Sequence, residues 1–121
     1  MRDFHELKVG GKAHRRVVSI YEVTQHFPNE ERFGLTRQIR RAAVSIPSNI
    51  AEGCGRNTEP EMARFLDIAT GSASEPDYQM LLARDLRYMD EDNYKKLAYQ
   101  VHEVRRMLYA FMKKKRLSAD R

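Results

Sequence analysis

The sequence predicts an all-α fold: an antiparallel, up-down-up-down, left-handed four-helix bundle formed by one domain over residues 1–121. Three observations predict it. Apolar residues recur at three- and four-residue steps through four long segments. Turn signals leave only short connections between those segments, and short connections make neighbouring helices antiparallel. No segment alternates apolar and polar residues as a half-buried strand would.

The first helix is expected over residues 3–26. Leu7, Ala13, Val17, Ile20, Tyr21 and Phe27 mark its apolar face, with Thr24 on the same face and in need of a hydroxyl partner. Gly10 and Gly11 weaken its first turns by about 1 kcal/mol each relative to alanine. Pro28 disfavours helical geometry at Phe27 and ends it.

The second helix is expected over residues 30–54. Glu30 and Glu31 suit a helix start through the macrodipole. Leu35, Ile39, Ala42 or Ala43, Ile46 and Ile50 form its stripe, and Gly53 and Gly55 end it. Pro47 lies inside the pattern and should kink it. Ser45, Ser48, Asn49 and Glu52 surround that proline. They read as a polar repair set, buried and hydrogen-bonded near the kink, with Glu52 free to pair with an arginine of a neighbouring helix. A ligand pocket is the alternative.

The third helix, residues 59–89, opens with Thr58 and Glu61 as a capping box and Pro60 in the first turn. Met62, Phe65, Leu66, Ala69, Ala73, Met80, Ala83 and either Leu82 or Leu86 form its inner face. Pro76 should bend it without reversing the chain. The fourth helix, residues 91–116, has Asp90 as N-cap. Tyr94, Leu97, Val101, Val104, Leu108 and Phe111 alternate three and four strictly, the period of a left-handed seam.

Composition narrows the function. Hydrophobic residues make up 41% and charged residues 32%, which suits solvated helices around a core. No run approaches the ~18–20 apolar residues of a membrane span, and no leader-like apolar segment opens the chain. Cys54 is the single cysteine, so no internal disulfide forms, and a cytoplasmic location is expected. The net charge is +5, unevenly spread. Residues 58–90 carry three basic and seven acidic side chains; residues 91–121 carry nine basic and four acidic ones. A polarised basic surface attracts phosphate backbones, or else serves contacts between basic and acidic subunit faces.

Chemistry is sparse. His5, His14, His26 and His102 form no metal-ligand spacing, so neither metal nor cofactor is expected. Cys54 sits between Gly53 and Gly55 with no base nearby in sequence, and the P-loop spacing is missing. The candidate nucleic-acid contacts are Arg37, Arg40 and Arg41 on the second helix, Arg105 and Arg106 on the fourth, and the run Lys113, Lys114, Lys115 and Arg116. The run follows the last seam residues and should project from the bundle end without supporting the core. Tyr21, Tyr94, Tyr99 and Tyr109 are candidate stacking partners for bases, or bundle edges and subunit contacts.

Phe27-Pro28, Glu31, Gly34-Leu35-Thr36, Gln38-Ile39-Arg40-Arg41-Ala42 and the stretch Ser45-Ile46-Pro47-Ser48-Asn49-Ile50-Ala51-Glu52-Gly53 closely resemble the bacterial family of 23S rRNA-associated proteins, the ribosomal proteins of 23S rRNA intervening sequences. Phe65-Leu66, Ile68-Ala69, Gly71-Ser72 and Glu75 match its third-helix pattern. Gly10, where an aromatic is common, and Pro76 depart from it. The resemblance implies a left-handed bundle assembled as a ring of five, with a nucleic-acid role. A related branch, the accessory variability determinant proteins of diversity-generating retroelements, implies RNA or DNA and a reverse transcriptase as partners, and the ribosomal label of the family implies a ribosomal component. Val18, Val44, Leu81, Tyr99 and Met107 lie beyond a single seam and also favour self-association, expected as a homopentamer. The function expected is a non-enzymatic oligomeric bundle that binds nucleic acid, RNA above all, with low sequence specificity. A protein-interaction adaptor is the alternative; an enzyme lacks any convergent set of acid, base, nucleophile or metal ligands.

Overall fold

The computed structural model describes residues 2–119. Phe4–Glu6 forms a single 3-10 turn capped by Asp3, whose carboxylate accepts from the His5 N–H at 3.0 Å. Helix α1 follows over Lys8–Thr24, so the helix begins later than expected. Leu7 stays extended between turn and helix. That bend lays Phe4 back over Gly10, where an added Cβ would meet the Phe4 ring at 3.0 Å and its carbonyl oxygen at 3.1 Å. Gly10 therefore seats an aromatic side chain contributed from the preceding turn. A Cβ on Gly11 would meet only the Arg15 guanidinium, at 3.5 Å. Gly11→Ala should thus raise stability by about 0.5–1 kcal/mol through lost unfolded-state freedom. Gly10→Ala should lower it, because a backbone carbonyl cannot swing aside. Thermal melts of the two variants should move in opposite directions.

Helix α2 spans Leu35–Cys54. A 3-10 turn at Asn29–Glu31 replaces the helical start expected at residue 30. Glu31 still serves the helix, from outside it. One carboxylate oxygen accepts from the Leu35 N–H at 3.2 Å, and the other accepts from the Tyr88 hydroxyl at 2.9 Å. This ties the loop before α2 to Tyr88, 57 residues on in the chain.

α2 continues across Pro47. The Ser45 hydroxyl donates to the Ala42 carbonyl at 2.6 Å, and the Asn49 amide donates to the Ser45 carbonyl at 2.8 Å. Ser48 and Glu52 depart from the expected burial: both are exposed. Ile46, Ile50 and Gly53 take the inward face, so Ser48 and Glu52, one turn apart, fall on the outward one. Glu52 pairs with Arg56, four residues on, at 3.3 Å, and not with an arginine of a neighbouring helix. Asn49→Ala should cost about 1 kcal/mol, whereas Ser48→Ala should stay within about 0.5 kcal/mol of the parent in urea unfolding. Gly53 lies inside α2 and does not end it. A Cβ there would meet Phe65 Cβ at 3.2 Å and the Met62 carbonyl at 3.4 Å, so its bareness lets α2 approach the next helix closely.

The third rod is two helices, α3 (Glu59–Ser72) and α4 (Ser74–Asp85). Thr58 caps α3 by accepting from the Glu61 N–H at 3.3 Å. Ala73 keeps right-handed helical angles, so the chain bends ahead of the buried Pro76 without reversing. α4 ends before residue 89 because Arg87 adopts φ 64°, and the Tyr88 N–H closes back on the Ala83 carbonyl at 2.8 Å. That turn leaves Leu86 exposed and gives the inner position to Leu82. Helix α5 (Glu91–Ala119) starts from Asp90, which accepts from the Asn93 N–H at 2.7 Å.

End-to-end contacts set the rods antiparallel in sequence order. The Arg2 N–H meets the Cys54 carbonyl, Arg40 meets Thr24, Arg84 meets Glu91, and Lys115 meets Glu59. α1 packs on α2 and α5, as does the α3–α4 rod on the opposite side, which makes a four-helix bundle. Its core has two halves, one around Ile50, Leu66 and Leu108 and one around Ile20, Ile39, Met80 and Val101. Tyr21, expected on the inner face of α1, is exposed, and Met112 fills the inner place next to a half-buried Phe111. Among the described residues there is no strand, and no helix is long and apolar enough to cross a membrane.

Candidate nucleic-acid interface

The α1–α2 corner holds an open groove of about 610 Å³. Its floor is α2, where Arg37 and Arg41, and Arg40 and Val44, lie four residues apart and so share one face. Tyr21 of α1 forms one wall, and Arg32 and Phe33 of the preceding loop form the other. Phe33 is 76% exposed.

Arg40 is fixed in place. Its Nε donates to the Thr24 hydroxyl at 2.8 Å, an Nη donates to the Tyr21 carbonyl at 3.2 Å, and the guanidinium lies 4.5 Å from the Tyr21 ring centroid. The Thr24 hydroxyl in turn donates to the Ile20 carbonyl at 2.7 Å, which satisfies a polar group on a buried face. Arg40 is thus a bridge between α1 and α2 as much as a surface charge. Arg37 and Arg41 are exposed. Arg32 lies with its guanidinium 5.4 Å from the Phe33 ring centroid. Among the described residues, none of these four arginines has a carboxylate within ion-pair distance, whereas Arg56, Arg84 and Arg116 each do. An uncompensated cluster of guanidiniums beside exposed aromatic rings suits anions that carry flat groups.

The other expected contacts lie elsewhere. Arg105 borders a shallow crevice with Asp77 and His102, and Arg106 is exposed on α5 near Glu103. A hydrogen bond from Lys12, at 3.0 Å, holds the Glu103 carboxyl below its ordinary range, helped by the charges of Lys12, Arg106 and Arg16. The 113–116 run does not project free of the core. α5 stays helical through it, and Lys115 is only 7% exposed. The Lys115 ammonium lies 3.0 Å from Glu59 as an ion pair and 5.6 Å from the Phe111 ring centroid. Arg116 reaches within 3.9 Å of Asp67, while Lys113 and Lys114 are exposed. The seam itself carries this signal: Leu108, Phe111 and Lys115 continue the three-four alternation, so position 115 faces inward.

Arg32 and Phe33 are not among the candidates that the sequence singles out. They sit in a loop, where no period fixes side-chain direction. Of the stacking candidates, Tyr21 lines the groove, Tyr94 is half-buried under the Arg84 guanidinium, and Tyr99 and Tyr109 are exposed. Val18, Val44 and Tyr99 are exposed, while Leu81 and Met107 are half-buried. Burial raises the Cys54 thiol above its ordinary value, against a smaller opposing effect of Arg2, which keeps it a thiol at neutral pH. Among the described residues no group of three or more His, Cys, Asp or Glu side chains gathers to hold a metal.

The bundle is similar to a solved structure from Bacteroides thetaiotaomicron, a protein of unknown function from the S23 ribosomal protein family. The TM-score is 0.78 at 24% identity, over 87% of this chain and 98% of the other. At that identity the likeness speaks for the fold alone. No functionally curated protein matches the chain. The family described as 23S rRNA-intervening sequence protein matches residues 5–110, which takes in α1 to α4, the groove and most of α5, and the chain belongs to that family.

Proposed function

We propose that this protein is a non-enzymatic, cytoplasmic, homo-oligomeric bundle, a pentamer, that binds nucleic acid, RNA above all, with low sequence specificity. The observation that carries the reading is the α1–α2 groove, where Arg32, Arg37, Arg40 and Arg41 gather between Tyr21 and Phe33 without a carboxylate partner among the described residues. Guanidiniums supply phosphate contacts, and the released counterions supply the affinity. Specificity stays low because base-edge readout needs a docked recognition element, and the groove floor is one turn-spaced row of arginines. Several copies in one assembly multiply weak contacts without any new interface. Lys113 and Lys114 add exposed charge at the end of α5; Lys115 is buried and paired with the half-buried Glu59. A reverse transcriptase or a ribosomal component fits as a further partner of such a complex.

Exposed Val18, Val44 and Tyr99 favour the second reading, an adaptor whose surface serves protein contacts. Mobility shift with unstructured RNA, duplex RNA and duplex DNA at low salt separates the two. Binding that weakens steeply with added salt supports the first reading; no shift with any of the three replaces it with the second. Light scattering at micromolar concentration tests assembly, with a mass near five chains expected and a monomer mass contradicting it.

A further inference from the structure

We propose that the α1–α2 groove takes an unpaired stretch of nucleic acid, with one base stacked on Phe33 and the adjoining phosphates on Arg37 and Arg41. The proposal rests on the nucleic-acid reading above and names the form of ligand that this groove selects.

Three observations lead to it. The first is size. The groove is open, with a volume of about 610 Å³, room for about one or two nucleotides; a base can reach its aromatic wall only when it is not stacked inside a duplex.

The second is Phe33. Burial of a phenylalanine is favourable by about 1.5–3 kcal/mol, yet this ring stays 76% exposed at the groove wall. Its loop is held on both sides. Glu31 bridges the Leu35 N–H and the Tyr88 hydroxyl. Gly34 packs so tightly on Glu31 that an added Cβ would lie 2.7 Å from the carboxylate. A pre-positioned ring keeps the ordering cost of binding low.

The third is the division of labour among the arginines. Arg40 is held by Thr24 and Tyr21, with its guanidinium 4.5 Å over the Tyr21 ring centroid. Arg37 and Arg41, one turn apart on α2 and exposed, remain for phosphates. Flat rings beside a row of cations are the parts that single-strand sites use, and stacking tolerates any base because every base has a π-face.

The chain contains six tyrosines and no tryptophan, so Phe33→Trp places on the platform a single indole that can be excited selectively beyond the tyrosine absorption. Three proteins are compared on a single-stranded oligonucleotide and on its duplex: the parent, Phe33→Trp and Phe33→Leu. The expected results are tighter binding of the single strand, quenching of the introduced indole's emission on titration with it, and a loss of about 5- to 100-fold for Phe33→Leu. Circular dichroism of each variant should match the parent, because an exposed loop ring supports no core. Equal affinity for strand and duplex, or parent-like binding by Phe33→Leu without quenching in Phe33→Trp, overturns the stacking proposal and leaves the phosphate reading standing. Failure of the parent to bind either form at low salt overturns both.

Discussion

Replacing Arg32, Arg37 and Arg41 together by alanine should weaken single-stranded RNA binding about 100-fold at 0.1 M salt while the fold stays unchanged. Each phosphate contact on a single strand contributes ~0.7 to the slope of log affinity against log salt. Three lost contacts flatten that slope by about 2, and extrapolated from 1 M to 0.1 M this amounts to about two decades. The fold is spared because these three guanidiniums make no ion pair among the described residues. Arg40 is left in place deliberately: its removal would strip the Thr24 hydroxyl and the Tyr21 carbonyl of a donor and loosen α1 from α2. Fluorescence anisotropy over a salt series checks the loss and the slope together.

Leu66→Ala should cost about 2–5 kcal/mol, a large share of the ~5–15 kcal/mol that holds a domain of ordinary stability. Leu66 is 0% exposed and sits in the core half that also contains Ala13, Ala69 and Ala73. Alanines have no side-chain torsion with which to move into a vacated space, so the cavity should persist. Persistent cavities are what push the cost to the upper part of the range. Ile68→Ala, two residues on and 42% exposed, should stay within about 0.5 kcal/mol of the parent. Urea unfolding at one fixed protein concentration, followed by circular dichroism, compares the two. The fixed concentration matters because self-association would add to apparent stability by mass action.

The four-rod architecture is legible because the apolar period is nearly unbroken, above all in α5, where Leu97, Val101, Val104 and Leu108 are all buried. Helix starts are less legible because their caps come from outside the periodic segments. Glu31 lies before Gly34 and still caps α2. Phe4 lies before Leu7 and still packs on Gly10. The bend of the third rod is readable from Pro76, but its early end depends on Arg87 in a left-handed conformation, where glycine is the usual residue.

The candidate site is half legible. Helical spacing puts Arg37 and Arg41 on one face, and the structure places both in the groove. The same spacing cannot tell that Arg40 is bound to Thr24 and the Tyr21 carbonyl, because that depends on where α1 passes. It cannot supply Arg32 and Phe33 either. Lys115 departs from expectation for a different reason. A run of four cations reads as a solvated tail, and it masks the heptad step from Leu108 that turns position 115 inward. A lysine accepts such a place because its aliphatic stem packs inward while its ammonium reaches Glu59.

Photochemical cross-linking of the parent protein to unstructured RNA at low salt, with the attached peptides identified by mass spectrometry, locates the nucleic-acid surface without any substitution. Cross-links are expected on Phe33 and Tyr21, within the segments that form the α1–α2 groove. Cross-links confined to α5, or none at all under conditions where a control RNA-binding protein is labelled, would contradict the assignment of the groove as the nucleic-acid site.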